Sequence, residues 1–578
     1  MDRKHEVSKV LYEKKQFKNL KEIINNTKEL YGDRPAFKYK TETPDVYTEM
    51  SYNDYIDEIN ALGTALISVG LKGKRIGIIG ENRYEWEEAY LAITCGVGTV
   101  VPLDKALPDN EIISLVQRSG IEAIFYSEKY DDVMDKVKAD KIGKIQYYIT
   151  MDAKETKNNL YSQKELVALG KSLIKNGAKS YLEAQIDENE MGIMLFTSGT
   201  TSMSKAVMLS HKNICNNIND IRKVIDYDEN DVFLSFLPLH HTLESTVGFL
   251  CPVAGGSCIC FCEGLRHIAE NLKDYHVSIM IAVPILFETM YKQLMKGIQK
   301  KGKMGKVKFG LGVTNILSKV GIDIRRTTFK EILENLGGNI RLLVGGGAAF
   351  DPEAEKGLTS FGVEVYQGYG LTETSPVIAA EHRGCYNPGS IGKLLPSWEG
   401  KILDPNDQGI GELVVKGDSV MLGYFENEEA NKEAFTEDGY FRTGDLAYFD
   451  KNDFIFITGR QKNVIVLKNG KNVFPEEIET LINGINGVKE SFVYGKPEED
   501  DKDDLKVCAK IVYDKEVLEK QGFTNEDAIK AKIWEEIKEN VNKKMPTYKY
   551  IKEISVTTEE LTKTTTLKVK RFEEIKKV

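Results

Sequence analysis

The stretch Leu195-Phe196-Thr197-Ser198-Gly199-Thr200-Thr201-Ser202-Met203-Ser204-Lys205 joins a strand-like apolar run to a loop of hydroxyls, one glycine and one lysine. Such a loop can solvate a polyanion in place of water, because its backbone N–H groups, hydroxyls and ammonium are all hydrogen-bond donors. The spacing is not that of a Walker A loop, which needs Gly-x-x-x-x-Gly-Lys-Ser/Thr. The loop predicts a phosphate site, and a plain polar surface loop is the alternative.

Length and composition set the class of protein. A chain of 578 residues is too long for one core and predicts two or more domains. With 41% hydrophobic and 29% charged residues it is typical of a folded globular protein. The net charge of −10 argues against a nucleic-acid partner, whose phosphates require a basic surface.

The N-terminal residues 1–7 mix charges and have no apolar core, so no secretory signal is predicted and a cytoplasmic location is expected. The longest apolar run, 247–262, is interrupted by Pro252 and by the Gly255-Gly256 pair and is too short to span a bilayer. Peripheral membrane contact stays open. Eight cysteines indicate reduced thiols. Cys258, Cys260 and Cys262 alternate as on one face of a strand, which predicts core packing and not a metal site.

Strand and helix signals alternate along the first part of the chain. Short apolar strands are predicted at 74–80, 98–103, 121–126 and 145–150, with a helix at 84–93 between the first two. Buried parallel strands joined by crossover helices produce this rhythm, so the fold class is α/β. A glycine-bounded apolar run at 409–415 indicates smaller β-structure. Lys, Glu and Asp then dominate a compact α+β pattern, and the predicted domains are residues 1–460 and 461–578.

Further motifs carry polar chemistry. In Tyr366–Thr374, glycines permit a tight turn, Tyr369 offers a flat face to a purine, Thr372 offers a hydroxyl to phosphate and Glu373 is a hard oxygen ligand for Mg²⁺. A strand followed by a turn and a helix cap is the alternative. Asp445, after Thr443-Gly444, can accept hydrogen bonds from ribose hydroxyls or can belong to an ordinary turn.

Two charged segments complete the pattern. The segment 459–479 contains Gly459-Arg460-Gln461-Lys462-Asn463 and, taken alone, predicts a charged turn before a helix that begins with proline. The segment 563–571 contains Lys568 and, taken alone, predicts a solvated basic tail. Each motif has an ordinary explanation, but their order and spacing together do not.

In that combination the chain resembles the adenylate-forming (ANL) superfamily, which includes acyl-CoA synthetases, firefly-type luciferases and peptide-synthetase adenylation domains. It is most similar to AMP-forming long-chain fatty-acid CoA ligases, on the residues 80–86, 237–244 and the Lys462-Asn463 pair. The resemblance implies a large N-terminal domain of layered α/β subdomains and a small mobile α+β C-terminal domain. It also implies activation of a long- or medium-chain fatty acid by ATP, and then transfer from the acyl-adenylate to CoA.

The resemblance also implies roles for individual residues. The residues expected to bind the β- and γ-phosphates of ATP are Thr197, Ser198, Gly199, Thr200, Thr201 and Lys205. Gly346, Gly347 and Ala348 are expected to form one wall of the adenine slot and Tyr369 the other, and Gln367, Gly368 and Gly370 are further expected nucleotide-binding residues. Thr372 is expected to touch the α-phosphate, Glu373 to bind Mg²⁺, Asp445 and Arg460 to bind the ribose, His241 to line the acyl pocket and Lys568 to stabilise the charge that develops during adenylation. Lys462 is the expected hinge, and Gly470 lies in the expected CoA-tunnel loop.

Some positions depart from the family pattern. Ser202, Ser204 and Ala206 stand where glycine, proline and glycine are usual, and Leu567 replaces a glycine before the lysine. His240 and Glu244 can imitate a metal pair, but no third ligand is apparent. Alternatives to a CoA ligase are therefore an enzyme that loads an acyl carrier protein and a catalytically impaired nucleotide- or lipid-binding relative. Side chains around Phe287 and Val313 are expected to set the depth of the acyl pocket.

Overall fold

The computed structural model describes residues 5–41, 46–157, 160–197, 204–348, 350–468, 471–498, 505–564 and 568–578. The strands are β1 (Pro35–Lys40), β2 (Tyr47–Ser51), β3 (Arg75–Ile79), β4 (Thr99–Pro102), β5 (Ala123–Tyr126), β6 (Tyr147–Thr150), β7 (Leu160–Ser162), β8 (Met191–Thr197), β9 (Lys205–Ser210), β10 (Val232–Ser235), β11 (Cys258–Phe261), β12 (Ile279–Ala282), β13 (Leu342–Gly346), β14 (Glu364–Gly370), β15 (Val377–Ala380), β16 (Lys393–Leu394), β17 (Glu399–Leu403), β18 (Gly411–Lys416), β19 (Gly423–Tyr424), β20 (Phe441–Phe449), β21 (Ile455–Arg460), β22 (Ile465–Val466), β23 (Asn472–Val473), β24 (Val488–Pro497), β25 (Leu505–Tyr513) and β26 (Glu553–Thr557).

The α-helices are α1 (Leu20–Tyr31), α2 (Tyr52–Ser68), α3 (Tyr84–Ala92), α4 (Asp109–Ser119), α5 (Asp131–Ala139), α6 (Gln163–Lys175), α7 (His211–Val224), α8 (Cys251–Gly255), α9 (Ile268–Asp274), α10 (Pro284–Lys300), α11 (Met304–Ser318), α12 (Arg325–Thr328), α13 (Lys330–Leu333), α14 (Pro352–Ser360), α15 (Glu428–Glu433), α16 (Pro475–Asn483), α17 (Lys515–Lys520), α18 (Glu526–Glu536) and α19 (Arg571–Glu574). None of these described helices is long and apolar enough to cross a bilayer.

Two large sheets form the layers of the N-terminal domain. The first has the strand order β19-β9-β8-β4-β3-β5-β6-β7, and β3 pairs in parallel with both β4 and β5. The predicted strands at 74–80, 98–103, 121–126 and 145–150 are β3, β4, β5 and β6, and the predicted helix is α3. Because helices cover both faces of such a sheet, β3 is apolar and buried on both sides. The α/β class is confirmed.

The second large sheet, with the order β16-β15-β14-β13-β12-β10-β11-β1-β2, carries the glycine motifs. Parallel β13 and β14 end side by side, with Gly346 opposite Gly368. The carboxyl ends of parallel strands are the usual place for ligands in open α/β sheets. On β11, Cys258 and Cys260 are buried as predicted for a core strand, and all eight cysteines are free.

A four-stranded antiparallel sheet, β17-β18-β20-β21, completes the large domain, and β21 leads into the small one. The small domain packs β24-β25-β26 against α16 and α18 around its own hydrophobic cluster, which begins at Ile465. The main cluster of the large domain reaches Ile455, with Ile457 packed on it. The boundary expected at residues 460 and 461 falls between these side chains and stays a prediction.

Candidate active site

A cleft of about 3430 Å³ extends between the two domains. The expected site residues that line it are Thr197, Lys205, His241, Gly346, Gly347, Ala348, Gln367, Gly368, Tyr369, Gly370, Thr372, Glu373, Asp445, Arg460, Lys462 and Lys568. Ser198, Gly199, Thr200, Thr201 and Gly470 lie outside the described residues. Side chains that are hundreds of residues apart in sequence therefore share one cleft.

The hydroxyl-rich loop begins and ends at paired residues of the β8–β9 hairpin. Thr197 is opposite Lys205 in the antiparallel ladder, and its hydroxyl donates a hydrogen bond of 3.4 Å to the Lys205 carbonyl. The Lys205 ammonium lies 4.7 Å from the ring centroid of Tyr424. A cation over an aromatic face is held in place without losing its charge. Lys205 therefore faces the cleft as a positioned ammonium group.

Arg118, at the end of α4, forms hydrogen bonds to Ser204, where that loop leads into β9. Its Nη1 donates to the Ser204 hydroxyl at 3.0 Å, and its Nη2 donates to the Ser204 carbonyl. The guanidinium also lies 5.4 Å from the ring centroid of Phe196. Proline is the usual residue of the family at position 204, and it restricts the backbone covalently. Here a serine and a distant arginine restrain the same position through hydrogen bonds.

The strand ends of β13 and β14 accept only small residues. A Cβ at Gly346 would lie 2.9 Å from the Leu243 side chain, and a Cβ at Gly370 would lie 1.8 Å from the Pro376 carbonyl oxygen. Gly347 has a φ of +83°, in the left-handed region that favours glycine. The backbone therefore forms an open wall at the position expected for the adenine slot.

Tyr369 and Arg460 both hold the Asp445 carboxylate. The tyrosine hydroxyl donates to Oδ2 at 2.6 Å, and the Arg460 Nε lies 2.8 Å from Oδ1. Asp445 and Arg460 are opposite one another on β20 and β21. Burial raises the pKa of Asp445 against the lowering effect of Arg460. A carboxylate has about four lone-pair sites, so Asp445 keeps capacity for ligand hydroxyls beside these two partners.

Glu373 points a carboxylate into the cleft. Its Oε1 accepts a hydrogen bond of 2.9 Å from the Tyr424 hydroxyl, which leaves Oε2 for another partner. Mg²⁺ is usually bound by one or two carboxylates together with substrate phosphates and water. The residues here fit that ion, because a single oriented carboxylate lies in the same cleft as the phosphate-loop lysine.

Lys568 belongs to the small domain but extends toward the large one. Its Cε is 3.7 Å from the position of a Cβ on Gly347. Thr564 holds its backbone through an N–H to carbonyl bond of 2.8 Å. Burial of the ammonium is the main cause that lowers the pKa of Lys568, and the nearby Arg460 guanidinium lowers it further. The ammonium is therefore placed among the cleft charges, although the residue as a whole remains exposed.

His241 lines the cleft beside a second histidine and an aspartate. His240 Nε2 lies 3.1 Å from Asp104 Oδ1, and the two histidine rings are 4.2 Å apart. Burial, and then the neighbouring histidine, lower the pKa of His241 to about 3, so it is neutral near pH 7. The ligand atoms of Asp104, His240 and His241 are close enough for a metal ion, and Glu244 of the pair considered from the sequence does not belong to this group. Lys568 and Lys105 place positive charge beside the cluster, which disfavours a cation there.

An apolar extension of the cleft enters the large domain, and sequence reasoning missed it. Its lining residues include Ile221, Ile225, Tyr227, Phe233, Val247, Ile279, Ile281, Leu342, Val344 and Val377. In the sequence these residues have the same apolar pattern as any buried strand or helix. The sequence therefore does not distinguish residues that line the cleft from residues that fill the core. Of the side chains expected to set the depth of the acyl pocket, Ile285 and Glu288 beside Phe287 line the cleft, while Phe287 itself is fully buried in a second hydrophobic cluster. No residue around Val313 is among the described lining residues, and the depth of the acyl pocket stays a prediction.

Comparison with known proteins adds independent findings. Residues 25–425 match the family model described as AMP-binding enzyme, and residues 477–568 match the AMP-binding enzyme C-terminal domain. Fatty acyl-CoA synthetase B of Dictyostelium discoideum is 28% identical over 504 residues, which cover 80% of this chain and 73% of that protein. Long-chain-fatty-acid–CoA ligase FadD15 of Mycobacterium bovis is 27% identical, with 80% and 79% covered. Long-chain-fatty-acid–[acyl-carrier-protein] ligase AEE15 of Arabidopsis thaliana is 24% identical, with 90% and 80% covered.

Solved structures share the fold along nearly the whole chain. The anthranilate CoA ligase AuaEII in complex with anthranoyl-AMP superimposes with a TM-score of 0.76 at 18% identity, with 99% of each chain covered. ATP-bound MatB from Rhodopseudomonas palustris superimposes with a TM-score of 0.73 at 23% identity, with 97% of this chain and 99% of that chain covered. These likenesses confirm a large N-terminal α/β domain with a smaller C-terminal domain.

Proposed function

Because the chain belongs to the AMP-binding enzyme family and is an AMP-forming acyl-CoA ligase, we propose that its substrate is a long- or medium-chain fatty acid. ATP converts the acid to an acyl-adenylate with release of pyrophosphate, and CoA then takes the acyl group with release of AMP. One observation carries the proposal: an apolar channel and a cluster of cationic side chains open into the same cleft. A fatty acid and a nucleotide triphosphate need those two environments side by side.

The first half-reaction joins two anions, and the cations of the cleft reduce their repulsion. The carboxylate attacks the α-phosphorus in line, and charge moves onto the equatorial oxygens and the pyrophosphate. We assign the stabilisation of that charge to the Lys568 ammonium, which extends into the cleft beside Gly347, while Lys205 lies at the base of the phosphate loop. Glu373 would hold Mg²⁺, and the ion would supply further neutralisation of phosphate charge. Neutral His241 borders the acyl side and brings no competing cation to the carboxylate.

We assign the remaining contacts to nucleotide recognition. Asp445 accepts hydrogen bonds from the ribose hydroxyls while Arg460 and Tyr369 hold it in orientation. The glycine-lined ends of β13 and β14 leave space for a flat base against Tyr369. Thr372, in the short turn after β14, contributes a hydroxyl toward the α-phosphate.

The second half-reaction needs a thiol where pyrophosphate has left. We propose that the small domain turns about Lys462, which lies in the short 3₁₀ turn between β21 and β22. Lys568 then withdraws, and the loop that contains Gly470 helps to form the CoA tunnel. We also propose a cytoplasmic location, because eight free cysteines suit a reducing compartment.

A carrier protein is the second candidate acceptor, since one relative is an acyl-carrier-protein ligase. A pyrophosphate-release screen over free acids of graded chain length, with CoA and holo-carrier compared as acceptors, tests both proposals. We expect release with long or medium acids and discharge by CoA. Discharge by the carrier alone selects the second candidate. Absence of pyrophosphate with every acid, despite ATP binding, refutes the proposed activity and indicates a catalytically impaired relative.

A further inference from the structure

Helix α11 exposes a stripe of large apolar side chains. Phe309 is 76% exposed and Ile316 is 68% exposed, while Val313 between them is half-buried. Val320, in the turn after the helix, is 69% exposed. The steps of four and three residues place Phe309, Val313 and Ile316 along one side of the helix, and Val320 follows four residues later in the turn. A contiguous exposed apolar patch of this kind marks an interaction site.

The opposite side of α11 already has a partner. Val307, Gly310 and Thr314 are buried, and a Cβ at Gly310 would lie 3.1 Å from the Phe329 ring. Val307 and Phe329 belong to the same hydrophobic cluster as α10. The helix is therefore fixed to the domain by one side, and the exposed stripe is not a core face displaced from its place.

The sequence that contains the stripe is rich in lysine. Residues 292–322 contain eight lysines and no acidic residue, in a chain with a net charge of −10. Lys306 lies on one side of the stripe and Lys308 on the other, because each residue turns an α-helix by about 100°. Within the described part of the chain, Lys303 pairs with Glu331, and the other seven form no ion pair. These seven are Lys292, Lys296, Lys300, Lys301, Lys306, Lys308 and Lys319.

We propose that this α11 surface, formed by Phe309, Val313, Ile316 and Val320 with the flanking lysines, binds the surface of an anionic phospholipid bilayer. A surface with exposed apolar side chains and neighbouring lysines can place the apolar groups among the acyl chains of a bilayer and the lysines among its phosphates. A second copy of the chain would oppose lysines to lysines. An acidic peptide would pair with the lysines but would leave the apolar stripe without an apolar partner.

A bilayer bound at this surface could supply fatty acid to the cleft, and this supply is the use that we assign to the contact. The first turns of α10 line the cleft through Ile285, Glu288 and Lys292, and α11 follows after a short turn. The α11 surface is therefore connected to the cleft lining through one helix, α10. This use rests on the proposed fatty-acid substrate, but the binding itself does not, so the two proposals fail separately.

Flotation of the purified full chain with vesicles tests the proposal. One set contains phosphatidylcholine alone, and another contains about 30 mol% phosphatidylglycerol in addition. We expect binding to the anionic vesicles that is at least about tenfold tighter than to the neutral ones and that weakens with salt. The triple variant F309N/I316N/V320N should lose about tenfold or more in affinity. The control L30N/L265N changes two other exposed leucines and should bind as the parent does.

Three results overturn the proposal. They are equal binding of the triple variant and the control, equal binding to neutral and anionic vesicles, and no flotation of the parent chain. Light scattering provides a further test, because a dimer that the triple variant abolishes would identify a second copy as the occupant. Thermal melting and adenylation of a water-soluble acid without vesicles should be unchanged in the triple variant, which excludes misfolding as the cause of lost binding.

Discussion

Replacing Lys568 with alanine is expected to slow adenylation far more than thioester formation. The Lys568 side chain approaches Gly347 in the cleft where the nucleotide is proposed to lie. A unit charge about 4 Å from another contributes about 4 kcal/mol at an effective dielectric constant of about 20. Removal of one preorganised charge typically costs about 10²–10³ in rate, or about 3–4 kcal/mol, so both routes give the same order of magnitude.

Two assays separate the half-reactions. Pyrophosphate release, measured with acid and ATP, should fall by about 10²–10³ in Lys568→Ala. Acyl-CoA formation from supplied acyl-adenylate should stay within about threefold of the parent, because no pyrophosphate charge remains for Lys568 to stabilise. The matched control Lys520→Ala removes an exposed lysine of α17, and both rates should be unchanged. Thermal stability should also change little, since Lys568 is an exposed residue outside the hydrophobic clusters.

Equal losses in the two half-reactions would refute this reasoning, since they would mean that Lys568 serves the fold or the thiol step as much as adenylation. An unchanged rate of pyrophosphate release would refute the placement of its charge altogether. A lysine-to-arginine variant refines the outcome, because it keeps the charge but changes its shape. Partial recovery of the first rate in Lys568→Arg would support an electrostatic role.

Arg118→Ala should raise the KM for ATP by about tenfold with a smaller change in kcat, because a charged hydrogen bond to Ser204 contributes about 1.5–3 kcal/mol to loop order. An unchanged KM in initial-rate kinetics would exclude that anchoring role. Tyr369→Phe removes the 2.6 Å hydrogen bond to Asp445 and should weaken ATP binding by about tenfold in calorimetry, while equal affinity would contradict the ribose assignment. Burial raises the pKa of Glu88 to about 8, so the folded state holds a proton that the unfolded state has lost, and stability should fall as pH rises from about 4.5 to 8. Melting of Glu88→Gln should show a smaller fall over that range, and identical profiles would refute the buried-acid explanation.

Much of the fold class and of the chemistry of the candidate site could be predicted from residues that are neighbours in the sequence. The α/β class could be predicted from short apolar runs in the sequence, because a strand that is buried on both faces is apolar nearly throughout. Strands β3 to β6 lie at these predicted runs. The motifs around Tyr369, Asp445 and Lys568 predicted polar groups whose kinds suit a nucleotide. The burial of Cys258 and Cys260 followed from their alternation along one strand.

Other features depended on residues that are distant in sequence. Arg118 meets Ser204, Asp104 meets His240, and the Lys568 side chain of the small domain meets Gly347 of the large one. None of these pairs has a periodicity or a local spacing that could be read in advance. Likewise, apolar residues that line the cleft have the same composition as those that fill the core.

The amino-acid sequence by itself determined the class of fold, the order of the motifs and the kinds of chemical group available, because each depends on local propensity and side-chain chemistry. Only the tertiary structure decided which of those groups meet, which apolar side chains border open space and which side of α11 remains uncovered. The physical reason is that these properties arise from packing between elements, which no single stretch of the chain contains.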